Sequence, residues 1–143
     1  MGELLRFETS LEPHLSELAI LVCGRHWTSH HEWVAHKALA LKAGLDPDII
    51  AAIAARRTPA MPDERHRVVH EVSSVLLATG RLPRDVYDRG LACLGERATV
   101  ELVGILGYYC MVSLTLNAFE LGLPGNVAHE LHDPDFADPA PAG

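Results

Sequence analysis

Eighteen consecutive residues, Leu102 to Phe119, carry no formal charge. A stretch of that length must be covered by a protein core, by a subunit interface or by a bilayer. It contains Gly104, Gly107, Ser113, Thr115 and Asn117, and no basic cluster flanks it. Those features argue against a span. The reading is a buried central helix, at a subunit interface.

The rest of the chain has the same helical character. Leu11, Leu15, Leu18 and Val22 recur at helical spacing, with Ser10 as N-cap and Pro13 in the first turn. This first helix runs to about Arg25. A second helix spans His30 to Ala43 and stops at Gly44. Asp46-Pro47 opens a third, to about Ala55. Asp63 caps a fourth, with Val69, Val72, Leu76 and Thr79 inward and Gly80 closing it. Pro83 opens a fifth, with Val86, Tyr87, Leu91 and Leu94 inward and Gly95 after it. The last runs from about Thr99 to Leu121. No segment alternates with period two, so the expected fold is an all-α, single-domain six-helix bundle. Residues 1–125 form the helical domain, and 126–143 are a Pro-rich, flexible tail.

Charge and cysteine content narrow the function. The net charge of −7 and the lack of a basic stripe exclude nucleic acid as an expected partner. Cys23, Cys93 and Cys110 form no C-x-x-C pair and no signal peptide is seen, so the expectation is a cytoplasmic protein with reduced, packed thiols.

Chemistry concentrates between Glu17 and His36, which hold four of the nine histidines and both tryptophans. Glu32 and His36 are four apart, one turn from each other on a helix. A carboxylate beside an imidazole is equipped for proton transfer. Ser29-His30-His31-Glu32 also reads as a capping box, which would fold Glu32 back on its own helix start. His26, His30, His31, Glu32 and His36 also admit a zinc or iron site using two or three of them. His66 and His70 share the i,i+4 spacing, but lie beside Glu64, Arg65 and Arg67 and read as an exposed charged face.

The ordered set Glu17-Leu, Arg25-His-Trp27, Glu32-Trp33-x-x-His36 and Ala40-Leu-x-Ala-Gly44-Leu resembles the carboxymuconolactone decarboxylase family of the alkylhydroperoxidase D-like superfamily. Glu101 to Tyr109 and Asn117-Ala-Phe-Glu120 resemble its closing signature. The resemblance covers residues 3 to 125 and implies a helical subunit in a homotrimer or homohexamer. The peroxidase branch carries C-x-x-C, and those cysteine positions are Ser29 and Glu32 here. Two thiols are needed to attack and resolve, so thiol peroxidase chemistry is disfavoured. His30 and His31 stand where relatives often have an aromatic. The first motif helix also starts close to Met1, whereas many relatives have a further helical segment before it.

The resemblance implies Glu32, His36 and Glu17 as catalytic residues, with His36 the acid–base group and Glu17 tuning it. His30, His31, Trp33, Tyr108 and Asn117 are the expected substrate-binding residues. The implied function is decarboxylation or a related isomerisation of a small lactone or oxo acid, with no cofactor, no metal and no membrane partner. The alternative is a non-catalytic or metal-dependent small-molecule-binding oligomer using the His/Glu cluster.

Overall fold

The computed structural model describes residues 9–142; most of the lead-in, residues 1–8, and Gly143 lie outside the described residues. Six helices follow in order: α1 Pro13–His26, α2 His30–Lys42, α3 Pro47–Ala54, α4 Glu64–Thr79, α5 Arg84–Leu94 and α6 Glu96–Ala118. Among the described residues there is no strand, only an isolated bridge between Pro124 and Ala142. The all-α six-helix architecture is as the periodicity predicts.

The central helix is α1, not α6. Every residue from Leu15 to Arg25 is buried, because α2, α3, α4 and α6 all pack on α1. The sequence Leu-Ala-Ile-Leu-Val-Cys-Gly, from Leu18 to Gly24, is small and apolar on all sides, the pattern of a helix enclosed by others. Leu15, Leu18 and Leu21 are at most 1% exposed. Burial stabilises the fold by roughly 1.5–3 kcal/mol for each such side chain.

By contrast, α6 buries one face only, through Leu102, Ile105, Leu106, Tyr109 and Ser113. Val100, Val103, Met111 and Leu114 on its other side are exposed. By length and composition alone α6 would reach across a membrane.

Helix ends follow local chemistry, with exceptions. Asp46 accepts from the Asp48 amide at 2.8 Å and Asp63 from His66 at 2.9 Å, as N-caps do. Ser10 does not cap α1. Its amide and hydroxyl both donate to Glu101 instead, and Glu12 holds the cap position without a side-chain capping bond, its carboxylate accepting from Arg65. Ser29 makes no side-chain cap bond either, so the expected capping box is not formed. Thr79 is exposed, its hydroxyl turned back to Val75 O. Tyr87 is 38% exposed, under the Arg84 guanidinium. His66 is buried against His14 and bonded to Asp63, not part of an exposed face.

Two features place the site. Thr28, between α1 and α2, has φ +49, which is uncommon for a β-branched residue. Its hydroxyl accepts from Arg25 and donates to Asp133, which holds the bend that turns α2 back along α1. The segment after α6, expected as a flexible tail, lies against α2 and the bend. His31 Nε2 donates to Gly122 O, Trp33 donates to Glu130, and Arg25 donates to His132 O. Gly122 is required there: a Cβ would fall 1.7 Å from Ala140 O.

Candidate functional site

On the all-buried α1, Glu17 needs a partner, since a carboxylate away from water is costly unless paired. The antiparallel return of α2 supplies His36. Its Nδ1 lies 2.6 Å from Glu17 Oε2, and both residues are 4% exposed. One turn earlier on α2, Glu32 Oε2 is 3.3 Å from His36 Nε2. That is an ion-pair distance without hydrogen-bond alignment, leaving the Glu32 oxygen free of any hydrogen-bond partner. Tyr109 of α6 packs edge-on against the His36 ring at 4.9 Å. The three catalytic candidates therefore converge.

Electrostatics follow from that geometry. Burial pushes the His36 imidazole down, but Glu17 and then Glu32 more than reverse it and hold its pKa above the usual value. The two carboxylates thus favour the charged ring more than water does, and the Nδ1 hydrogen points to Glu17. Among the three side chains, Glu32 at 13% is more exposed than His36 at 5% or Glu17 at 6%. α1 and α2 pack closely here: a Cβ on Gly24 would lie in ordinary contact, 3.7 Å from Glu32 Cβ.

The expected substrate-binding residues do not gather around His36. His31 and Trp33 are tied to the C-terminal segment as described above. Asn117 is exposed and donates to Trp27 O at 2.7 Å, joining the end of α6 to the end of α1. Tyr108 packs on Tyr109, so Tyr109 is the tyrosine beside the imidazole.

His30 belongs to a second cluster. Its Nε2 is 3.2 Å from Asp138, and its ring meets that of His129 edge-on at 4.4 Å. One donor atom from each of His30, His129 and Asp138 lies within 4.8 Å of the others, a spacing that admits a metal ion. His30 Nδ1 and His129 Nε2 are buried without hydrogen-bond partners. Burial, with the nearby His129, lowers the His30 pKa and favours the neutral imidazole that metals bind. A tetrahedral zinc site has edges of about 3.3 Å, so the side chains would close slightly on the ion. His129 and Asp138 lie in the segment read as tail, and no spacing in the sequence links them to His30.

The sequence also separated two thiols that the fold joins. Cys23 Sγ is 3.8 Å from Cys110 Sγ, and Cys110 accepts from Trp27 Nε1 at 3.2 Å. Burial, then the neighbouring Cys110, pushes the Cys23 thiol far up, which leaves it a poor nucleophile.

The chain matches no family model, no curated protein and no solved structure.

Proposed function

We propose that this chain is a cofactor-independent acid–base enzyme acting on a small lactone or oxo acid, by decarboxylation or a related isomerisation. The observation that carries this is the buried Glu17–His36–Glu32 line, an imidazole held between two carboxylates that raise its pKa. The resemblance to the carboxymuconolactone decarboxylase family supports the choice of substrate class.

Loss of carbon dioxide leaves an electron pair on carbon that must spread into a conjugated carbonyl, and the carbon then takes up a proton. In this reading Glu32, nearest to solvent, touches the substrate. His36 supplies the proton through Nε2, and Glu17 fixes the ring through Nδ1. The exposed apolar residues of α6 support assembly into a trimer or hexamer, and free thiols suit a cytoplasmic setting. The test is carbon dioxide release or substrate proton exchange across a panel of lactone acids. Activity is expected to fall by about 10²–10⁴-fold in Glu32→Gln and in His36→Gln. Turnover unchanged in both variants would sink the proposal.

A second reading, a metal-dependent small-molecule-binding protein, has the more direct support: the His30–His129–Asp138 cluster with its two unpartnered ring nitrogens, in which His30 alone comes from the His/Glu set expected from the sequence. Two imidazoles and a carboxylate suit zinc. It expects stoichiometric zinc in the purified protein, lost in His129→Ala with the helical signal intact. Elemental analysis showing no zinc uptake at neutral pH would end it.

A further inference from the structure

A cleft of about 280 Å³ opens on the side of α1 lined by Val22 and His26, and neither Glu17, Glu32 nor His36 lines it. Its charged wall is Arg25, Arg56 and Arg57, with His26 and His70 between them, and no acidic residue lines it. In a chain of net charge −7, three arginines lining one cavity are a local reversal of sign. The neighbouring carboxylate is Asp133, 3.6 Å from Arg56 and bonded by Thr28, which offsets one of the three charges.

Arg25 is the unusual member. It is 6% exposed, and buried arginines are normally fully paired. Its Nη1 donates to Thr28 and its Nη2 to His132 O, which fixes the plane of the guanidinium. Its Nε is buried and has no hydrogen-bond partner. Arg56 is held at the rim with φ +55, in the left-handed region that non-glycine residues rarely enter. Arg57, which is exposed, also lines the cleft, as do Thr58 and Ser74. Val22, Ile53 and Leu77 supply an apolar wall.

We infer that this cleft is a binding site for a small oxyanion, a carboxylate with a short hydrocarbon body or a phosphate, held by Arg25, Arg56 and Arg57. Arginine forks match both groups in geometry, and a guanidinium already fixed by Thr28 and His132 loses little freedom on binding. The apolar wall gives the carbon skeleton of a carboxylate a place to lie. The site is separate from the acid–base line and does not depend on it.

The test is calorimetric titration of the full chain with inorganic phosphate and, separately, butanoate, each against chloride of equal ionic strength. One or both oxyanions are expected to bind saturably with a single site. Binding is expected to weaken about tenfold in Arg57→Gln and to vanish in Arg57→Glu. Arg57 is exposed, so both variants should melt as the parent does. The imidazole NMR signals of His26 and His70 should move with the titration while that of His36 stays in place. Preference for butanoate identifies a carboxylate ligand, and preference for phosphate a phosphorylated one. Heat from neither anion beyond the chloride control overturns the inference, as does equal binding by Arg57→Gln, Arg57→Glu and the parent.

Discussion

Replacing Glu17 with alanine is expected to destabilise the protein by about 3–5 kcal/mol near neutral pH, because it strands His36 in the interior without its 2.6 Å partner. The pH dependence distinguishes this from simple loss of packing. In the parent, the raised pKa of His36 adds stability that is fully present below the ordinary value of 6.5 and fades as pH rises through the raised one. Without Glu17, burial regains weight and the imidazole titrates lower. The gap in melting temperature between parent and Glu17→Ala should therefore be widest in mild acid and narrow towards alkaline pH. NMR titration of the His36 ring checks the same shift directly. Glu17→Gln keeps a hydrogen-bonding group but removes the charge, so it should lower the ring pKa with less loss of stability. If the proposed function holds, the limb of the pH–rate profile set by His36 moves down by the same amount in Glu17→Gln. A gap that does not change with pH would show that Glu17 only packs.

Trp33→Ala is the second large effect. Trp33 is 1% exposed, and its indole N–H donates to Glu130 at 2.9 Å, while Lys37 holds the same carboxylate. Removing a buried indole costs about 3–5 kcal/mol, which for a chain of this size lowers the melting temperature by roughly 10–20 °C. Trp33→Phe keeps most of the packing and loses the N–H, so it should cost about 1 kcal/mol. Thermal melts of both variants separate the contributions. An alanine variant melting within a few degrees of the parent would place the indole outside the core that holds α2.

The helices were legible because their punctuation is local. Gly44, Gly80 and Gly95 all have positive φ, and Asp46 and Asp63 cap as their positions suggest. The choice of central helix was not legible. Leu102 to Phe119 is the more apolar-looking run, but α1 is enclosed because four neighbours cover it, and coverage is a tertiary property. Glu32 and His36 could be paired from their spacing, whereas Glu17 reached the site only through the family resemblance. The thiol pair joins residues 87 apart, and the candidate metal cluster joins His30 to the distant His129 and Asp138, both beyond any periodicity. The apolar flanks of Glu17 hinted at burial, but nothing local to Arg25 indicated a buried guanidinium with a free Nε.

The docking of residues 122–138 across α2 and the bend bears on the order in which the chain assembles. His31 to Gly122, Trp33 to Glu130 and Arg25 to His132 join residues 91, 97 and 107 apart. Closing loops of that length is entropically costly before the intervening helices have condensed. The bundle contains the largest fully buried leucines, on α1 and α6, whereas the C-terminal segment adds Leu131 to the same core. The expected sequence is collapse of the helices first and seating of the C-terminal segment last. Interactions formed after the transition state act mainly on the unfolding rate, so this segment works as a latch that slows opening rather than as a nucleus that speeds folding.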